Sequence, residues 1–179
     1  MPGGNTARRE VVEHYGAVAI LAMDDDDNIV MVYQYRHPVG RRLWELPAGL
    51  LDVRGEAPHI TAARELEEEA GVSAQDWRVL VDLVSAPGFS DESVRVYLAT
   101  GISHVERPDA HDEEADLVVR WTSLDDAVQM VITGEIVNAI AVSGILAANA
   151  VRGRFDTLRP FDAEWIDRPT AYARRKAQS

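Results

Sequence analysis

The sequence predicts an α/β layered domain, and three observations predict it. Two apolar segments of strand length, GAVAILAM at residues 16–23 and IVMVYQY at residues 29–35, lie near the start of the chain. A strongly acidic helical stretch, residues 55–72, stands between strand regions, and two more helical patterns follow residue 123. Strands flanking a helix, with further helices behind, bury their apolar faces by layering helices on a sheet. With 179 residues and 46% hydrophobic content, one domain with a sizeable core is expected over residues 1–179. Its expected parts are a short stub at 1–15, C-terminal helices within 123–152 and a tail at 153–179.

Charge and composition exclude several classes of function. The chain carries 18 Lys and Arg against 30 Asp and Glu, a formal net charge of -12. Such a surface argues against general binding of nucleic acid or anionic membranes. It would also repel a polyanionic substrate, unless metal ions or a local arginine cluster reverse the sign of the site. The sequence has no cysteine, which removes disulfides, cysteine-based zinc sites and thiol catalysis. No apolar run reaches about 18 residues and no signal peptide stands out, so a cytoplasmic protein is expected.

Taken in order, residues 1–12 are polar and read as a loose start. The two opening apolar runs are joined by Asp24 to Asp27 and Asn28, which predicts a β-hairpin. The aspartates are either a solvated turn or a cation site. Arg36-His37-Pro38 and Gly40-Arg41-Arg42 form a basic patch in an acidic chain, followed by Trp44-Glu45-Leu46-Pro47-Ala48-Gly49. This is either a solvated loop or an anion clamp, since arginine suits bidentate phosphate contacts. Pro58 fits the first turn of a helix and Gly71 the left-handed residue that ends one. Residues 77–84 read as a strand, residues 86–92 as a turn whose backbone N–H groups can line a pocket, and residues 93–99 as a strand with Val94, Val96 and Leu98 on one side. A long polar loop, residues 106–116, precedes another strand at 117–121. Ser123 starts a helix that runs to Gly134, and residues 136–151 form a strongly apolar helix, buried or packed against a partner. His37, His59 and His104 read as surface or structural residues.

The chemistry concentrates on the acidic helix. Spacings of three and four place Glu65, Glu68 and Glu69 on one face, and Arg64 at i−4 can pair with Glu68. Three carboxylates side by side repel one another unless something positive sits among them. Hard divalent cations take such oxygen ligands, and Mg²⁺ is commonly held by carboxylates together with substrate phosphates. A solvated charged helix face is the alternative that the helix alone leaves open.

The wider pattern narrows the choice. Glu56, seven residues, then Arg64-Glu65-Leu66-Glu67-Glu68-Glu69-Ala70-Gly71-Val72 resembles the Nudix hydrolase signature. All its charged positions and its second glycine match at the expected spacing. The first glycine is expected at position 50; here Leu50 stands there and Gly49 comes one residue earlier, as a single-residue insertion in the loop 51–54 would produce. Within that family the likeness extends to ADP-ribose pyrophosphatases of the actinobacterial type. It rests on Pro87 fifteen residues beyond the box, on Tyr35-Arg36, on residues 44–49 and 86–90, and on the tail Glu164-Trp165-Ile166-Asp167-Arg168-Pro169.

The resemblance implies a Nudix fold, a mixed β-sheet in an α/β/α sandwich carrying the loop–helix motif. It implies hydrolysis of ADP-ribose to AMP and ribose 5-phosphate. The implied metal set is Glu65, Glu68, Glu69 and the carbonyl of Ala48, holding two or three Mg²⁺ or Mn²⁺ ions, with Glu56 and Arg64 in support. The implied base lies on the acidic loop, Glu114 first and Glu113 second. Arg36 would contact the diphosphate or terminal ribose and Glu45 other polar groups of the substrate. Gly88, Phe89 and Ser90 would line the substrate pocket, with Trp44 packing nearby. The alternatives are a Nudix enzyme for another nucleoside diphosphate sugar, or a non-catalytic module that senses ADP-ribose. A homodimer is implied, with the apolar helix 136–151 as a candidate contact. Relatives begin with a strand region that helps build the dimer, so the short stub here implies either truncation or a differently built dimer.

Overall fold

The computed structural model describes residues 3–4, 6–107 and 117–176. Its centre is β1 (Ala17–Ala22), all six residues of which are buried. The strand is apolar at every position because helices cover both of its faces. One edge of β1 pairs antiparallel with β4 (Ala48–Leu50), the other parallel with β6 (Ser93–His104). Beyond β6 lie β5 (Val72–Val84) and the short β8 (Arg159–Pro160), giving the order β4-β1-β6-β5-β8 among the described residues. A second sheet has the order β3-β2-β7, formed by Arg41–Glu45, Asn28–Arg36 and Val118–Ser123.

Alternation along β1 sorts the core into two halves. Val18, Ile20 and Ala22 pack with Ala62 and Leu66 of α1 (Pro58–Ala70). Ala17, Ala19 and Leu21 pack on the opposite side with Leu124, Ala127 and Met130 of α2 (Leu124–Ile132) and Ala141, Ile145 and Ala148 of α3 (Ala139–Val151). The result is the expected α/β/α sandwich around a mixed sheet. Gly144 lets α3 lie close to the sheet, since a Cβ there would come within 2.8 Å of Leu46 Cδ1.

The helix boundaries follow local chemistry. Pro58 occupies the first turn of α1, and Gly71 at φ 65 closes it by donating to the carbonyls of Glu67 and Leu66. Ser123 caps α2 by accepting from the Asp126 N–H. The apolar pattern from 136 overshoots the start of α3, because Asn138 caps the helix through the Ala141 N–H. The reading of that helix as a buried element holds for Ala141, Gly144, Ile145 and Ala148.

One expectation is corrected. The two opening strands do not form a hairpin ladder; among the described residues they share a single bridge, Met23 to Ile29, and then diverge into different sheets. The turn between them is tight. The Asp24 carboxylate accepts from the N–H groups of Asp26 and Asn28, and Asp27 takes φ 60. Yet both edges of β1 are taken by β4 and β6, which leaves β2 to pair with β3 and β7.

Residues 159–170 cross the sheet as a strap held by buried charge. Arg95, 2% exposed on β6, donates twice to Asp82 (2.8 and 3.1 Å) and also to the carbonyls of Ala163 (2.7 Å) and Glu164 (3.0 Å). Its guanidinium lies 4.8 Å from the Trp165 ring, and Trp165 Nε1 donates to Ser93 Oγ at 3.0 Å. No helix among the described residues is long and apolar enough to cross a membrane.

Candidate active site

The acidic face of α1 forms one wall of a cleft of about 1010 Å³, into which Glu65, Glu68, Glu69 and Arg64 face. The facing walls carry Arg36 and Glu45 from the β2–β3 pair, Ala48 and Gly49 from β4, and His14, Glu92, Leu117 and Asn138. So the structure brings together residues from positions 14 to 138 of the chain.

Arg64 is the cation within the carboxylate face. Its Nη1 donates to Glu65 (2.9 Å) and Glu68 (2.8 Å), and its Nη2 to Glu56 (3.3 Å). Burial works against its charge, but the bonds to Glu56, Glu65 and Glu68 outweigh this and raise its pKa. Glu56 is held below its ordinary value of 4.5, first by the Thr61 hydroxyl at 2.7 Å and then by Arg64. Glu69 is 8% exposed and accepts from the Ala48 N–H at 2.9 Å. The backbone of β4 passes so near α1 that a Cβ at Gly49 would overlap the Glu65 side chain. A side chain at 49 would therefore push the Glu65 carboxylate out of its place, whereas Leu50 beside it is 45% exposed. The glycine at 49 thus has a structural reason in the approach of β4 to Glu65.

As they stand, no three His, Asp or Glu side chains among the described residues converge to hold a metal ion. The side-chain donors on the α1 wall of the cleft are nonetheless carboxylate oxygens, those of Glu65, Glu68 and Glu69, more carboxylate than Arg64 alone can balance. This set fits a hard divalent cation and does not fit a soft one.

Arg36 and Glu45 form a two-point pair, Nε to Oε1 at 3.0 Å and Nη2 to Oε2 at 2.6 Å. Glu45 is 4% exposed at its side chain and Arg36 42%, so the buried carboxylate holds the guanidinium at the cleft wall. Gln34 Nε2 adds a bond to Glu45 at 3.4 Å. The expectation gave Glu45 a direct substrate contact; its oxygens are turned toward Arg36 and Gln34. Ala48, expected to offer its carbonyl, donates its N–H to Glu69.

Gly88, Phe89 and Ser90 do not line this cleft. The Phe89 carbonyl accepts from the Val12 N–H, Ser90 Oγ donates to the Val12 carbonyl, and the Phe89 ring is 62% exposed. Glu113 and Glu114 lie outside the described residues. The sequence reading passed over His14, Gln34, Thr61 and Glu92. Thr61 had a signal, a hydroxyl five residues after Glu56 on the first turns of a helix; His14 and Glu92 had none, since their meeting depends on the tertiary fold.

A carboxylate-faced helix braced by an internal arginine, set in an α/β/α sandwich opposite a second clamped arginine, defines a hydrolase of the Nudix class. The chain belongs to the NUDIX domain family, whose profile matches residues 12–140. It is 66% identical over 178 residues to an ADP-ribose pyrophosphatase of Mycobacterium tuberculosis, covering 99% of this chain and 86% of that one. It is 42% identical over 139 residues to an ADP-ribose pyrophosphatase of Bacillus subtilis, covering 78% and 75%. A crystal structure described as an ADP compounds hydrolase shares the fold with TM-score 0.65 at 23% identity, covering 75% of this chain and 71% of that one.

Proposed function

We propose that this enzyme hydrolyses ADP-ribose to AMP and ribose 5-phosphate with bound Mg²⁺ or Mn²⁺. The observation that carries the reading is the 66% identity, over 99% of the chain, with the Mycobacterium tuberculosis ADP-ribose pyrophosphatase. Glu65, Glu68, Glu69 and the Ala48 carbonyl would hold two or three ions. When bound, such ions neutralise the diphosphate and polarise its phosphorus toward attack by water. Arg36, fixed by Glu45, presents a planar guanidinium to a diphosphate oxygen pair, a contact of the two-point kind. Arg64 keeps Glu65 and Glu68 in one orientation while the substrate binds. Leu43, Val39, Leu117 and Ile140 supply apolar wall. Glu114, with Glu113 as second choice, takes the proton of the attacking water. A cytoplasmic homodimer is part of the proposal, with the outer face of α3 as a contact, and sedimentation showing monomer alone would oppose that part.

The test is a panel of ADP-ribose, other nucleotide sugars and dinucleoside polyphosphates with Mg²⁺, reading the products. The proposal expects the highest kcat/KM for ADP-ribose, with AMP and ribose 5-phosphate released. Preference for another nucleotide sugar would replace the substrate, and tight ADP-ribose binding without turnover would replace the enzyme by a sensor.

A further inference from the structure

The N-terminal segment reaches the cleft wall opposite the carboxylate helix, and His14 is the residue it delivers there. Two clamps hold the segment. On one side Val12 N–H donates to Phe89 O at 2.8 Å, and His14 N–H donates to Asp91 Oδ1 at 2.8 Å. On the other, Tyr15 meets the Tyr172 ring of α4 (Ala171–Lys176) edge-on at 4.5 Å, and Glu13 pairs with Arg175. The imidazole itself is oriented by a third bond. Gly16 N–H donates to His14 Nδ1 at 3.1 Å, so the neutral ring carries its proton on Nε2. That Nε2 stands 3.6 Å from Glu92 Oε1, and both side chains are about a quarter to a third exposed, at 26% and 30%, to the cleft.

The α1 carboxylates are the ones assigned to metal and diphosphate; Glu92, on the β5–β6 side of the cleft with His14 beside it, is left for the uncharged, hydroxyl-bearing part of the substrate. We propose that His14 is a positioning residue: its Nε2–H, aimed by the Gly16 bond, fixes the Glu92 carboxylate so that Glu92 accepts from a sugar hydroxyl of the substrate. The proposal rests on the nucleotide-sugar reading of the cleft. At 3.6 Å the pair is longer than a hydrogen bond, and closes to one by a small side-chain rotation or through a bridging water. Because the contact concerns a part of the substrate remote from the diphosphate, its loss weakens ground state and transition state alike.

Two near-isosteric variants separate the two ring nitrogens. His14→Asn keeps an acceptor near Nδ1 for Gly16 and loses the donor to Glu92; His14→Gln keeps a donor near Nε2 and loses the acceptor. Each is measured in the full chain, with melting curves, on whichever nucleoside diphosphate sugar the wild type hydrolyses best. A change of preferred substrate therefore bears on the proposed function and not on His14. The expected result for His14→Asn is a KM raised roughly 3- to 10-fold, the range for one lost hydrogen bond, with kcat within about twofold. His14→Gln stays nearer the wild type. In a Glu92→Gln background, His14→Asn adds nothing further, because the two residues act as one unit. Wild-type KM in His14→Asn, additive effects with Glu92→Gln, or a larger defect in His14→Gln than in His14→Asn would each overturn the proposal. If His14→Asn does not fold, the cycle is run with His14→Ala, which also loses the Nε2 donor, and Glu92→Gln, where full additivity again overturns it.

Discussion

Two arginines in this molecule sit among carboxylates, and their surroundings run in opposite directions. Around Arg64, three glutamates share one guanidinium, and Glu69 lies close by on the same helix. Around Asp82, two guanidiniums, Arg95 and Arg159, share one carboxylate. The Arg95 side chain is 3% exposed and finishes its bonding on two carbonyls and a tryptophan face, whereas Arg64 is 33% exposed at the wall of a cleft. Burial opposes both charges at the second centre. The bonds between them outweigh it, lowering the Asp82 pKa and raising that of Arg95. The strap centre has one carboxylate for two guanidiniums, with the surplus positive charge on half-exposed Arg159, and its hydrogen bonds lock a chain segment in place. The cleft centre is left with surplus negative charge, which costs stability unless a cation arrives. Surplus charge facing the cleft is where a cation site is proposed; the hydrogen-bonded charge at the strap serves structure.

Substitutions at the two centres should therefore separate activity from stability. The largest effect is expected at the proposed base: Glu114→Gln should lower kcat by a factor of order 10²–10⁴ with an unchanged melting temperature. If Glu113→Gln does this and Glu114→Gln does not, the base is the neighbouring residue. Arg95→Met, at the strap, should cost about 1–3 kcal/mol in denaturant unfolding, because the Ala163 and Glu164 carbonyls lose their donor while Asp82 keeps Arg159. The folded fraction of that variant should keep wild-type turnover. Arg64→Met sharpens the contrast. It should melt earlier than the wild type in chelator and recover on adding Mg²⁺, which Arg95→Met should not.

The smallest expected effect is on acid stability. Glu56 and Asp82 are both held below their ordinary values of 4.5 and 3.8. A carboxyl with a lowered folded pKa stabilises the fold above its unfolded pKa, and that contribution is lost as pH falls through the folded value. Melting temperature should thus decline below about pH 4, and Asp82→Asn should flatten the decline.

What the sequence could show depended on how local the cause was. The helix α1 was legible from Pro58, Gly71 and the spacing of Glu65, Glu68 and Glu69, all contained within one short stretch. The strands β1, β5 and β6 were legible from apolar runs, though β5 and β6 extend past the predicted ends. β3 and β4 were read as a loop, because Pro47 and Gly49 look like turn residues; the reason for Gly49 lies across the fold, in Glu65. The hairpin failed for a similar reason, since the partners of β1 come from residues 48–50 and 93–104. The strap was legible only as a family-like tail at 164–169, and its anchor on Arg95 was not. Arg95 meets Ala163 and Glu164 across 68 and 69 residues, and nothing in the alternation of β6 marks it as different from a solvated arginine. The cleft's His14 and Glu92 were hidden in the same way.

The central claim is that the surplus carboxylate of α1 is a cation site. Calorimetric titration of the chelator-treated protein with Mn²⁺, comparing wild type with Glu69→Gln, tests it most directly. The account predicts saturable binding to the wild type, with binding much weakened and kcat reduced by on the order of 10³ in the variant, as loss of several kcal/mol of charge stabilisation implies. Equal Mn²⁺ binding in both proteins, with turnover unchanged at saturating metal, would contradict it.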